Sequence, residues 1–299
     1  MTVVLTGGGS AEGAEVRVRD AEDMTVSDDT DTDPGPDPLR AAAVHAWSLD
    51  RTLGRFRAGT TTEPAGLPLL ELPAALRDHG YRTVQLCHFH LPHRDAGYLA
   101  ELRAALAEAG VVLDALLVDD GDLTHPSEAA REEAWISSHL ADATALGATR
   151  IRVVAGKTRT DTAQADSSRA LGRIAARAGD LRVVTENWGD VTRDAADVRA
   201  VLDPLDGAVG LLVDLGNWSG PGKYADLAEV APYAETCHAK AHWDRGEVDE
   251  VDYRASLSAI LDAGYAGYAG PLALVYDAVD DDEWAGLAVQ RAIVEDVLG

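Results

Sequence analysis

The chain has 299 residues, 46% of them hydrophobic, and 51 acidic against 26 basic side chains give it a formal net charge of -25. That length allows one large or two medium domains, and the charge excludes a nucleic-acid partner, whose phosphates would be repelled. No apolar run approaches the roughly 20 residues of a membrane span, no basic-then-apolar signal opens the chain, and Cys87 and Cys237 alone make no disulfide framework.

A cytoplasmic protein with two buried thiols is therefore expected. Residues 1–40 are rich in Gly, Asp, Thr and Pro, and Ser27–Pro38 has almost no apolar side chain to offset its ordering entropy. They predict a disordered acidic leader, with Met24 an alternative start. Residues 41–299 then form one domain. Ala43–Leu49 reads as a strand, Leu69–His79 as an amphipathic helix capped by Gly80, and Arg82–Phe89 as the next strand. The helix Tyr98–Ala109 stops at Gly110 before the strand Val111–Val118. A long helix, Ser127–Leu146, stops at Gly147 before the strand Arg150–Ala155. The helix Ser167–Ala178 precedes the strand Leu181–Thr185, and Val198–Leu205 precedes Val209–Val213. Tyr224–Ala231 precedes the strand Ala234–Ala239, Tyr253–Ala263 precedes Pro271–Tyr276, and Trp284–Val297 closes the chain as a helix. Strands alternating with helices imply parallel strands with crossover helices. Eight such units predict an α/β fold, a closed (β/α)8 TIM barrel; Ala46-Trp47-Ser48-Leu49 is no glycine-rich phosphate loop of an open doubly wound sheet.

In such a barrel chemistry sits at the C-terminal ends of the strands. Three consecutive strands end there in a metal-ligand type followed by tryptophan: Glu186 before Trp188, Asp214 before Asn217 and Trp218, and His238 before Lys240, His242 and Trp243. Strand neighbours lie about 5 Å apart, so Glu186, Asp214 and His238 can converge on one divalent ion; Mn, Mg, Co and Zn all suit oxygen and nitrogen donors. Trp47, Trp188, Trp218 and Trp243 offer flat walls and N–H donors to a sugar-like ring. The only lysines, Lys157, Lys223 and Lys240, map to the same end. Lys240 shares strand parity with His238 and His242, and His88 shares it with His90, so each set is expected to point one way. Asp119-Asp120-Gly121-Asp122 lacks the later Glu of a calcium loop and reads as a turn leading into a helix.

The motifs Thr185-Glu186-Asn187, Asp214-Leu215-Gly216-Asn217, His238-Ala239-Lys240 and Gly270-Pro271-Leu272-Ala273-Leu274-Val275-Tyr276 resemble those of the xylose-isomerase-like barrel superfamily, the sugar phosphate isomerase and epimerase group. The resemblance runs from Ala41 to the C-terminus. It implies one divalent ion on Glu186, Asp214, His238 and a second Glu, with the two Glu moving the proton beside a substrate carbonyl. The second Glu falls at Val275, where Asp277, the nearest carboxylate of equal parity, is the candidate fourth metal ligand, and the strand-two carboxylate of relatives stands here as Gln85. The expectation is a divalent-metal-dependent isomerase or epimerase acting on a sugar, sugar phosphate or polyol. Glu186 is the base, and Lys240, His242 or Asp277 returns the proton. Trp47, His88, His90, Lys157, Trp188, Asn217, Trp218 and Trp243 would contact substrate. A polyol dehydratase and a non-catalytic sugar-binding barrel are the alternatives. The small carbohydrate-like substrate is the expected partner, and a homo-oligomer is compatible with the composition.

Overall fold

Eight parallel strands carry the chain's apolar runs in a computed structural model that describes residues 42–54, 66–265, 270–278 and 282–299. They are β1 (Ala42–His45), β2 (Thr83–Cys87), β3 (Val112–Val118), β4 (Arg150–Val153), β5 (Arg182–Glu186), β6 (Gly210–Asp214), β7 (Ala234–Lys240) and, after a short hairpin of β8 (Trp243–Asp244) and β9 (Glu247–Val248), β10 (Leu272–Val275). The eight close into a barrel in sequence order, β10 pairing with β1. Helices such as Ala96–Ala109, Ala163–Ala175 and Glu283–Leu298 connect and surround them, the (β/α)8 arrangement expected. The expected leader, residues 1–40, lies outside the described residues. No helix among the described residues is long and apolar enough to cross a membrane.

The main core lies between strands and helices, where outward residues such as Val44, Leu116, Ile151, Val213 and Leu274 are shielded from water. Inside the barrel a small apolar plug of Cys87, Ala115, Leu117, Val184 and Leu212 fills the middle, with Trp47 and Phe89 packed against it. Below the plug the interior is polar. The pairing of β2 with β3 shifts by one residue between Val84 and Gln85, which leaves Asp114 as a bulge residue. Its carboxylate receives Gln85 Nε2 at 2.8 Å and Thr236 Oγ1 at 3.1 Å, and pairs with the buried Arg150.

Several boundaries differ from the sequence expectation for local reasons. The first strand stops at His45, because the His45 side chain accepts from the Trp47 N–H at 3.0 Å and turns Ala46–Leu49 into a 3-10 helix. The second stops at Cys87, and His88–His90 makes another 3-10 turn. The long helix Ser127–Leu146 is two helices, Ala129–Ser137 and His139–Leu146, joined at Ser138, whose hydroxyl bonds the Trp135 carbonyl at 2.7 Å. Gly110 and Gly147 end their helices with φ of 65° and 76°, the left-handed cap that glycine adopts without steric cost.

Candidate functional site

Glu186 is the last residue of β5, Asp214 the last of β6, and His238 stands on β7 in register with Asp214. Glu186 is in register with Leu212 of the interior plug, so its side chain also faces inward. The three buried side chains each offer one ligand atom, and these atoms lie within 4.8 Å of one another. His238 Nδ1 is 3.3 Å from Asp214 Oδ2 and 3.4 Å from Glu186 Oε1. His238 Nε2 meets Gln85 Oε1 at 2.9 Å. Gln85 must turn its NH2 to the Asp114 carboxylate, so its oxygen faces the imidazole. Nε2 therefore carries a hydrogen, and Nδ1 faces the two carboxylates, where it would hold a metal ion or, without one, a proton.

The motif residues around these groups hold them in place. Asn187 is fully buried and extends the ladder between β5 and β6 with its side chain: Nδ2 donates to the Asp214 carbonyl at 3.0 Å, and Oδ1 accepts the Asp214 N–H at 2.6 Å. Asp214 Oδ1 accepts the Gly216 N–H at 2.7 Å. A Cβ on Gly216 would come within 2.8 Å of the Lys240 side chain, so glycine leaves room for that lysine to cross. Asn217 Nδ2 donates to Glu186 Oε1 at 2.9 Å.

Arg152 of β4 dominates the electrostatics. Its guanidinium is 2% exposed, pairs with Asp119, donates to the Val118 carbonyl at 3.1 Å, and brings Nε to 3.0 Å from Glu186 Oε2. That last contact is ionic and off-axis: among the described residues neither Glu186 Oε2 nor Arg152 Nε has a hydrogen-bond partner. Burial alone would raise the Glu186 pKa, but Arg152 and His238 outweigh it and hold the carboxyl down to about 2. Burial would lower that of His238, but Glu186 and Asp214 raise it. His45 stacks edge-on against His238 with centroids 4.5 Å apart, and burial together with the nearby positive charges keeps its own pKa well below the usual value.

A divalent ion fits this donor set. Two carboxylates and one imidazole nitrogen converge, and the buried Glu186 Oε2 has its lone pairs unclaimed by any hydrogen bond among the described residues. Three protein ligands with an open position are what catalytic metal sites use.

The other expected site residues divide. Asp277 stands outside the group: its carboxylate meets Lys240 Nζ at 3.1 Å, beside buried Val275, and the neighbouring Asp214 and Asp277 keep the Lys240 pKa raised against the pull of burial. Trp188 is 37% exposed, with the Arg152 guanidinium 5.8 Å from its ring centroid. Trp47 is half-buried against Phe89, and Trp243 packs edge-on to Tyr276 with its buried Nε1 unpartnered among the described residues. Trp218 is not a pocket wall. It is 6% exposed, belongs to the main core, and donates to the Thr192 carbonyl at 3.0 Å. His242 does not share the direction of His238 and Lys240, because β7 ends at Lys240 and the chain turns into the hairpin with His242 exposed.

His88 and His90 do not point together either, since both sit in a 3-10 turn instead of a strand. His88 meets Asp120 at 3.3 Å, and His90 meets Asp50 at 2.8 Å. Lys157 is exposed and 3.6 Å from Asp120, whereas Lys223 is buried against Asp252 at 2.6 Å and ties two helices. Asp122 accepts N–H groups from Thr124 and Lys157, stapling two loops, and its pKa is lowered to about 2 by these hydrogen bonds against the effect of burial. A cavity of about 290 Å³ lined by Asp120, Gly121, Arg131, Glu132 and Trp135 lies on the His88 side and includes no member of the triad.

Sequence reasoning passed over Arg152, His45 and the clamp role of Asn187. The signal for Arg152 was present: Arg150-Ile151-Arg152-Val153 places two arginines on one face of a short strand, and that face is the barrel interior.

Residues 73–276 match the family described as xylose isomerase-like TIM barrel. No curated protein matches the sequence at a significant level. A xylose isomerase-like TIM barrel protein from Mycobacterium smegmatis, in complex with magnesium, is 18% identical with a TM-score of 0.64, over 87% of this chain and 96% of that one. D-psicose 3-epimerase from Clostridium cellulolyticum H10, with D-tagatose, is 13% identical with a TM-score of 0.62, over 86% and 96%. The 3-keto-D-glucoside 4-epimerase of E. coli is 17% identical with a TM-score of 0.62, over 84% and 99%.

Proposed function

Because the chain belongs to the xylose isomerase-like TIM barrel family, we propose that it is a divalent-metal-dependent isomerase or epimerase of a sugar or related polyol. The observation that carries this reading is the convergence of Glu186, Asp214 and His238 within 4.8 Å at three consecutive strand ends. Two of the similar structures are of sugar epimerases and one holds magnesium, which supports the same reading. A bound divalent ion supplies Lewis acidity, polarising a carbonyl and its neighbouring hydroxyl so that the C–H between them becomes acidic.

The chain's own residues would then do the following. Glu186 accepts the proton from that carbon. Its carboxyl is held down to about 2, so it is ionised at any working pH and weak as a base, and needs an acidified C–H. Asn217 fixes the carboxylate by its hydrogen bond to Oε1. Lys240, kept as an ammonium by Asp214 and Asp277, stands beside the position where the resemblance implies a second Glu; it would return a proton to the substrate and be reprotonated through solvent as Glu186 gives up the proton it took. The exposed Trp188 would offer a wall to a substrate ring, and the Trp243 N–H, unpartnered among the described residues, would serve as a donor for a substrate hydroxyl that reaches it. Epimerisation with two carboxylate bases needs one on each face of the substrate. With Val275 in place of the second, transfer between adjacent carbons on one face, an isomerisation, is favoured.

Lys240 also favours one second reading. An ammonium so placed would protonate a departing hydroxyl, which makes the enzyme a polyol dehydratase. A screen of ketoses, sugar phosphates and inososes with the metal-loaded protein in deuterium oxide tests both readings. Deuterium on the carbon beside the carbonyl is expected. Loss of water with a new unsaturation marks the dehydratase, and no exchange with any substrate while metal is bound contradicts catalysis.

A further inference from the structure

Arg152 sits where a charge is hard to place. It lies on an interior face, is 2% exposed, and shares that face with the apolar Leu117 and Val184, its register neighbours on β3 and β4's other partner β5. An arginine there loses its hydration and must be held by protein groups. Two of its contacts lie outside the triad, the Val118 carbonyl and the Asp119 carboxylate, and these fix the guanidinium independently of Glu186. The third contact puts Nε 3.0 Å from Glu186 Oε2 without forming a directed hydrogen bond. The guanidinium is therefore anchored by its neighbours and only abuts the ligand oxygen. Arg150, two residues earlier on the same face, pairs with Asp114 in the lower barrel instead, so pairing with a triad member is particular to Arg152.

We propose that Arg152 is a built-in competitor for Glu186: a fixed cation that holds the ligand carboxylate in place without metal and weakens the hold of the centre on a divalent ion. The inference rests on the metal-centre reading. Of the two negative charges supplied by Glu186 and Asp214, Arg152 offsets one, and Val275 adds none where a further carboxylate would. Like charges repel most strongly in a buried site, where water screens them least. A divalent ion is thus drawn to the triad by less charge than its donor set suggests. Occupancy would follow the surrounding metal concentration, and metal would exchange readily. Asp119 moderates the effect, because its carboxylate offsets the same guanidinium from the other side.

The test is calorimetric titration of Mn2+ into metal-free wild-type protein and three variants, with folding checked by circular dichroism. Arg152→Gln is expected to tighten Mn2+ binding by about tenfold or more, and Arg152→Lys, which keeps the charge, to stay within about threefold of wild type. Asp119→Asn removes the moderating charge from a half-buried position and is expected to weaken binding by about threefold or more. Unchanged or weaker binding in a folded Arg152→Gln protein overturns the inference. Should that variant not fold, Asp119→Asn decides: weaker binding supports competition, and unchanged binding overturns it. Failure of every protein to bind Mn2+ overturns the metal-centre reading itself and this inference with it.

Discussion

Replacing Asn187 by alanine removes the side chain that joins the ends of β5 and β6. Asn187 is fully buried, and its amide satisfies both backbone groups of Asp214, accepting the N–H at 2.6 Å and donating to the carbonyl at 3.0 Å. Alanine leaves that N–H and that carbonyl buried without partners. Each such group costs about 1–3 kcal/mol, and partial entry of water into the space left behind recovers some of it, so a net loss of about 3 kcal/mol is expected. In a domain of this size that lowers Tm by roughly 6–12 °C. Asn187→Asp is a control of nearly equal volume. It keeps an acceptor for the N–H, loses the donor, and adds a buried charge beside Asp214, so it should destabilise at least as much. Urea denaturation measures the stability, and Mn2+ titration of the folded fraction measures whether Asp214 is still aimed at the centre; weaker binding is expected. A loss below about 1 kcal/mol with unchanged Mn2+ affinity would refute the clamp, because a lost pair of buried hydrogen bonds cannot be that cheap.

Three further outcomes are expected. Val275→Glu should tighten Mn2+ binding by about tenfold, or roughly 1.4 kcal/mol, by adding a carboxylate on the interior face next to the triad; calorimetry would show it, and unchanged affinity would mean that the new carboxylate pairs with Lys240 instead. Lys240→Met should lower turnover while leaving metal content and Tm nearly unchanged, since its pair with Asp277 is partly exposed and such pairs add little stability; a large fall in Tm with intact turnover would make Lys240 structural. In metal-free protein the Glu186 carboxyl titrates near 2 when folded and near the ordinary 4.5 when unfolded. Its contribution to stability is therefore fully present above pH 4.5 and is lost as pH falls towards 2. The stability difference between wild type and Glu186→Gln should shrink over that window, and a constant difference would contradict the hold of Arg152 and His238 on the carboxylate.

The barrel was legible because eight apolar runs alternate with helical periodicity, and that pattern depends only on which faces are buried. The cluster of Glu186, Asp214 and His238 was legible for a related reason: in a barrel every strand's C-terminal end lies on one face, so the three had to be neighbours once their strands were found. What escaped was set by the last residue or two of each strand. The parity argument for His242 fails because β7 stops at Lys240, and the argument for His88 and His90 fails because a 3-10 turn replaces the strand after Cys87. Trp218 reads like Trp188 in sequence, yet one indole joins the core and the other stays at the surface, a choice made by the loop and its bond to Thr192. The pairing of Arg152 with Asp119 and Glu186 joins β4 to the loop after β3 and to the end of β5, and the sequence does not say which acid the guanidinium meets.

The central claim is that Glu186, Asp214 and His238 hold a divalent ion. Mn2+ titration into metal-free wild type and Asp214→Ala tests it most directly, with the bound ion counted by elemental analysis after gel filtration. One ion per chain in wild type, with affinity lost by about tenfold or more in Asp214→Ala, is the predicted result. Equal binding by the two proteins, or none by wild type at millimolar Mn2+, would contradict it.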